Sequence, residues 1–347
     1  NKSMNFVLFG GHTVGNIAMH GNAWNEVDLS NYTKAFALTR AARPELPVYI
    51  YFHCYISNGK NDVAEFADAR VLTSNGLQAD YGGGHYPIFM PVEGGKFAQV
   101  QEQLIEKRLN ALGADAIYWD EIAYSSVKYN FNPDYWDGVS AIIDPSTHRI
   151  TRKVSCVTLA TLPWRMKVTE KMIAMSKAKN SGRPALIGNG APMTRSFNRF
   201  KFPRFIETGS ITNLVLGQLY TPLALGDHLG EKDEVDSYKN MVRGLDYGAV
   251  YYWYRNTLEA THPTLTDAMF PITPIDLGAG YIVGKERILT NRSGYFGWGD
   301  GSKFTSRVFN RSGVEVKDYK IPTVVRDGKT FAEVRIPEGY SVALIRQ

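Results

Sequence analysis

Cysteine is nearly absent. Cys54 and Cys156 are the two thiols in 347 residues. That is too few for a disulfide framework, and Cys54 falls inside a strand-like run that marks it as a buried thiol. Charge of one sign is concentrated nowhere. The formal net charge is +5, but the lysines and arginines are dispersed, so no basic patch asks for nucleic acid. No apolar run reaches the length of a membrane-crossing helix, and no membrane partner is expected. The seven histidines never take His-x-His or His-Glu-x-x-His spacing, so neither a metal site nor another cofactor is expected. Gly-x-Ser-x-Gly, the elbow of a serine nucleophile, does not occur. The run Gly82-Gly83-Gly84 has neither the preceding strand nor the following helix of a phosphate loop. Sequons at Asn1, Asn31, Asn291 and Asn310 settle nothing by themselves. The chain opens on Asn1 with no initiator Met and no signal peptide before its first strand, which reads as a processed chain or the later part of a larger polypeptide. A secreted or periplasmic location is expected.

What is present suits a large globular fold. Hydrophobic residues make up 44% and charged residues 21%, ordinary values for a chain with a sizeable core. Aromatics are plentiful, with Tyr 20, Phe 17 and Trp 6, and many fall at strand ends and in loops where a ring serves as a stacking platform. The centre of the chain is the stretch from Gly113 to Glu121. A helical run over 97–112 stops at Gly113. A short apolar strand over 116–119 then ends in two adjacent carboxylates, Asp120 and Glu121. An acidic pair is costly to bury at a strand end, and in a parallel sheet or barrel that end is the ligand face. The plain alternative is a helix N-cap at Asp120.

Strand-like and helix-like runs alternate along the first 270 residues. Strands are expected over 4–10, 48–55, 116–119, 184–190, 204–208, 213–220 and 249–254, and helices over 28–46, 97–112, 162–180 and 233–247. A long loop spans 57–95. About seven βα-type strands in succession point to a (β/α)8 barrel lacking its first strand, which an upstream polypeptide segment would complete. Beyond residue 270 short strands are separated by turn signals such as Asp300-Gly301, Ser312-Gly313 and Asp327-Gly328. The expected architecture is therefore a barrel over 1–270 followed by an antiparallel β-sandwich over 271–347.

Two carboxyl groups flanking a glycosidic bond are the minimum for glycoside hydrolysis. Asp120 as nucleophile and Glu207 as acid/base fit that demand if both face the barrel mouth. The plain reading of Glu207 is a loop carboxylate paired with Arg204 or Lys201. Candidate substrate-binding residues at strand ends are His12, His53, Tyr118, Trp119, Asn189, Gln218, Tyr220, Trp253 and Arg255. Others lie in loops: His85, Tyr135, Trp136, Asp137, Asp227 and His228. Stacking rings mixed with hydrogen-bonding side chains suit a carbohydrate substrate.

The segment Asp115-Ala116-Ile117-Tyr118-Trp119-Asp120 resembles the fourth-strand motif of the retaining α-galactosidases of glycoside hydrolase family 36. In that motif Trp-Asp closes the strand and the Asp is the nucleophile. The resemblance implies a barrel with an acid/base at the sixth strand and a C-terminal β-sandwich. Tyr118 stands where that family has Lys, and Glu207 where it has Asp, so the substrate is not carried over. The adjacent Asp120-Glu121 is also similar to the pair of substrate-assisted β-N-acetylhexosaminidases. That likeness implies Glu121 as acid and Asp120 as the group orienting the substrate's acetamido arm. It requires the strand to end at Asp120, because successive strand residues point to opposite sides. A non-catalytic carbohydrate-binding barrel is the reading from another class.

Overall fold

The computed structural model describes residues 7–9, 12–14, 17–19, 30–205, 214–215, 223–225, 231–252 and 260–347. The chain divides by its contacts into two compact units, 5–203 and 204–347.

The first unit is built on a parallel sheet whose strands follow chain order: β1 (Val7–Phe9), β2 (Val48–His53), β3 (Ala116–Asp120) and β4 (Leu186–Asn189). In register, Tyr51 lies beside Tyr118, His53 beside Asp120, and Ile187 beside Tyr118. The connecting helices are Ser30–Ala42, Lys96–Glu106 and Leu162–Met175. The Lys96–Glu106 helix buries Phe97, Ala98, Gln101, Leu104 and Ile105, a spacing that makes one face at 3.6 residues per turn. The third helix buries Trp164, Arg165, Val168, Thr169 and Met172 by the same rule. Residues from all three helices share one cluster with Val48, Ile50, Phe52, Ile117, Trp119 and Leu186. The three crossovers thus cover one and the same face of the sheet. Alternate strand residues, Tyr49, Tyr51, His53, Tyr118 and Asp120, belong to the other face.

Gly113 ends the helix before β3 as expected, with its backbone left-handed at φ 71°. Asp115 then ties the start of β3 to its neighbours, accepting from Val48 N at 2.8 Å and from Arg40 at 3.2 Å. The stretch 57–95 is not the open loop the sequence suggested. It holds a helix, Asp62–Glu65, a 3-10 turn, Ala67–Ala69, and isolated bridges such as Arg70–Phe89 and Asp80–Pro87. Phe66, Ala69, Phe89 and Phe97 form its own small core. A hairpin unmarked in the sequence, Ala141–Ile143 with Ile150–Lys153, follows β3.

In the second unit a five-stranded antiparallel sheet runs in the order Pro274–Gly278, Tyr281–Gly284, Arg287–Thr290, Ser341–Arg346, Phe304–Phe309. Its adjacent residues go to opposite sides. Ile288, Val308, Val342 and Leu344 meet Ala332 and Val334 of a three-stranded sheet. Leu289, Phe309 and Ala343 meet the helices Glu234–Asp246 and Leu265–Met269. The two sheets sharing a core are the antiparallel pair expected near the C-terminus. The sequence divides at 270/271, whereas contacts divide at 203/204, because these helices bury their apolar faces on the five-stranded sheet. The Asp327-Gly328 turn has φ 49° and 73°, the two left-handed residues of a type I′ hairpin.

Gly188 in β4 is set by space. A Cβ there would lie 2.7 Å from Phe202 Cε2 and 2.9 Å from Ile122 Cδ1. Gly188→Ala is expected to destabilise the first unit by about 1–3 kcal/mol through overpacking, read as a lower midpoint in chemical denaturation; an unshifted midpoint would refute the packing assigned to this strand.

Candidate active site at the end of the third parallel strand

Asp120 closes β3 and is partly exposed. Its carboxylate is held by three donors. Tyr51 Oη donates to Oδ2 at 2.7 Å, and Asn189 Nδ2 and Glu121 N donate to Oδ1 at 2.7 and 3.0 Å. All three partners donate, so the carboxylate is held in one orientation. The register explains the partners: β2 and β4 flank β3, and Tyr51 and Asn189 lie on the same face of their strands as Asp120.

Glu121 breaks the strand alternation. Its backbone is left-handed, with φ 49°, a conformation that favours glycine or asparagine over other residues. The turn carries its side chain to the face that holds His53, whose Nε2 lies 2.8 Å from Glu121 Oε2. His53 is fully enclosed and Glu121 is 25% exposed. Tyr55 N donates to His53 Nδ1 at 3.2 Å, so the neutral ring carries its proton on Nε2 and donates it to Glu121. The chain beyond is pinned. Ile122 N donates to Asn189 O at 3.0 Å. Arg165 donates to Ile122 O at 3.3 Å, and Tyr55 Oη to Ala123 O at 2.8 Å. The alternative reading of Asp120 as a helix N-cap does not hold, since no helix starts there.

Several sequence expectations change with burial. Trp119 does not stack on a ligand: it is enclosed on the helix side of the sheet, its ring 5.5 Å from Phe52, 6.1 Å from Trp164 and 6.4 Å from Phe197. Tyr118 is buried 6.2 Å from the Tyr51 ring, beneath the carboxylates. His53 acts on Glu121 from inside rather than on a ligand. Asp137 spends its oxygens on its own loop, accepting from Ser140 N, Val139 N and Cys156 N. Burial raises its pKa, but these bonds outweigh it and hold the carboxyl below the usual range. Trp136 is 46% exposed, donates to Ser140 O and lies under Lys153 Nζ at 4.1 Å. His85 is exposed on the turn where Gly82 N, Gly84 N and Tyr86 N donate to Asp80. Tyr135 is half-buried, and its carbonyl accepts from Ser155 Oγ at 2.5 Å. Glu207, Gln218, Tyr220, Asp227, His228, Trp253 and Arg255, and the side chain of His12, lie outside the described residues. Cys54 is the buried thiol expected, its pKa pushed up to about 12 by burial. Among the described residues no three His, Cys, Asp or Glu side chains gather as a metal-ligand set.

Tyr51 is the site residue that sequence reasoning missed. Its signal was alternation: Tyr49, Tyr51 and His53 sit two apart in β2, on the side that Asp120 takes in β3.

No protein-family model matches the chain, and no curated protein sequence matches it. Solved structures with partial likeness include a sulfoquinovosidase of glycoside hydrolase family 31 from E. rectale, at 10% identity and TM-score 0.43 over 91% of this chain and 52% of that one. An α-galactosidase from Lactobacillus brevis matches at 10% identity and TM-score 0.41, over 92% of this chain and 46% of that one. An α-L-fucosidase from Paenibacillus thiaminolyticus matches at 12% and 0.40, over 72% and 45%. The chain spans about half the length of these structures. A likeness this distant leaves the reading of the site to its own geometry.

Burial, then the charge of Asp120 and the hydrogen bond to it, holds the Tyr51 hydroxyl well above its usual value of 10.0. The folded state therefore keeps a proton that the unfolded state releases near pH 10, and this contribution to stability is complete below pH 10 and lost above it. Stability is expected to fall as pH rises past about 10, and Tyr51→Phe to make that fall shallower by about 1.4 kcal/mol per pH unit. Denaturant titrations at stepped alkaline pH measure it; an identical slope in the variant refutes a protonated Tyr51 bound to Asp120.

Proposed function

We propose that the chain is a glycoside hydrolase in which Asp120 is the carboxylate facing the anomeric carbon. The observation that carries this is the three-donor cradle that holds Asp120, partly exposed, at the C-terminal end of a parallel strand. An oxocarbenium-like transition state needs a fixed negative group beside it, and a carboxylate already oriented needs no rearrangement as charge develops. Helices on a single face of the sheet, with strands in chain order, support a (β/α)8 barrel, whose catalytic rim is formed by those strand ends. In the retaining mechanism Asp120 is the nucleophile and a second carboxyl is the acid/base. Glu207 takes that role on the sequence reading.

A second reading has its own observation. The left-handed turn at Glu121 brings its carboxyl to the face of Asp120, and Glu121 Oε1 has no hydrogen-bond partner among the described residues. In a substrate-assisted hydrolase Glu121 would protonate the leaving oxygen and Asp120 would orient a 2-acetamido group. Such an enzyme cleaves only sugars bearing that group.

Initial rates on aryl glycosides with and without a 2-acetamido group separate the two. Asp120→Asn is expected to lower kcat by at least about a thousandfold, with unfolding unchanged. Under the retaining reading, Glu207→Gln loses activity mainly on substrates with poor leaving groups, and Glu121→Gln keeps most of it. Loss in Glu121→Gln, with activity confined to acetamido sugars, selects the second reading. Full activity in Asp120→Asn removes both.

A further inference from the structure

The second unit holds a cavity of its own, about 850 Å3 in volume, in the range of small-ligand pockets. One wall is the outward face of the Glu234–Asp246 helix. Tyr238, Met241 and Leu245 turn inward to the five-stranded sheet, which leaves Lys239, Arg243 and Asp246 on the opposite stripe at spacings of four and three residues. The other wall carries Arg292, Arg311 and Glu338.

Four cations therefore line one hollow beside two carboxylates, and the charges are not used up on one another. Arg292 Nη2 donates to Asp246 Oδ1 at 2.9 Å, and Asn291 Nδ2 donates to the same oxygen at 2.8 Å. Arg311 Nε donates to the Glu338 carbonyl at 2.9 Å, leaving the two terminal nitrogens of its fork. The Arg311 stem lies against Gly339, where a Cβ would approach its Cγ to 3.0 Å. Among the described residues Lys239 reaches only Asp236, at 3.8 Å. Among the described residues Arg243 has no hydrogen-bond or ion-pair partner, and neither does the Glu338 carboxylate.

We propose that this cavity binds an acidic saccharide, a sugar chain carrying ring carboxylates. Guanidinium forks match a carboxylate in two-point geometry. Sugar hydroxyls need acceptors, and Asp246 Oδ2 and the Glu338 carboxylate supply them. Inorganic polyphosphate has no hydroxyls to donate to those carboxylates and meets only repulsion from them. The site is separate from the acidic doublet and does not rest on the role proposed for Asp120.

The test is isothermal titration of the full chain with trigalacturonate, against a neutral trisaccharide and inorganic polyphosphate. Trigalacturonate is expected to bind, more weakly as salt is raised, and Arg243→Ala to lower its affinity about tenfold. Arg243 is exposed and unpartnered, so the variant should fold as the parent does, checked by an unchanged thermal midpoint. Asp120→Asn is expected to bind trigalacturonate like the parent, which separates this site from the doublet whatever the doublet does. No heat with trigalacturonate overturns the proposal. So does equal binding of the neutral trisaccharide, tighter binding of polyphosphate, or an Arg243→Ala variant that binds unchanged.

Discussion

The left-handed backbone at Glu121 is the constraint on which the acidic site depends. A residue with a Cβ loses roughly 1–2 kcal/mol in that conformation. Had the strand continued its alternation, Glu121 would have pointed to the helix side, among Trp119, Trp164 and Phe197. An unpaired carboxylate there costs several kcal/mol, more than the turn does. The turn persists because its surroundings determine it from both sides. Asn189 accepts from Ile122 N, Arg165 donates to Ile122 O, and Tyr55 and Thr158 both donate to Ala123 O. Strain held in this way accompanies functional sites, because only a rigid frame sustains it.

Arg165 shows how far the frame goes. It is fully buried, its partners are Thr158 O, Ile122 O and Thr161 Oγ1, and its guanidinium lies 4.7 Å over the Phe197 ring. No carboxylate is among them. A buried cation held by two carbonyls and a hydroxyl ties the third helix to the backbone just past the doublet. The same strands supply both faces of the sheet: apolar residues at 48, 50, 52, 117 and 119 pack the helices, while 51, 53, 118 and 120 build the site.

Much of this was legible in the sequence. Gly113, the strand that follows, the three connecting helices and the Asp327-Gly328 hairpin each carry a local signal that the structure keeps. The side on which a residue lands was harder. Tyr118 and Trp119 are neighbours with similar chemistry, and only the register of β3 against β2 decides that one lies under the carboxylates and the other in the core. His53 looks like a ligand contact until its enclosure is known. Nothing local marks Glu121 as left-handed, since the turn is imposed by Asn189, Arg165 and Tyr55, far apart in the chain. The unit boundary was hidden for a related reason: an amphipathic helix shows that it covers a sheet, not which sheet.

The two carboxylates, though adjacent, are not equivalent, and the difference orders their possible roles. Asp120 accepts from donors in three directions, two on Oδ1 and one on Oδ2, so it is fixed in place and suited to meeting positive charge. Glu121 is gripped at one oxygen by the His53 ring, and its other oxygen bonds to no described residue. A group that gives up and regains a proton needs an oxygen open to the reacting atom and a partner that tolerates both states. A buried imidazole donating to one oxygen leaves the other for that exchange. On the proposed reading, the cradle suits Asp120 to the electrostatic part, and proton transfer within the doublet falls to Glu121.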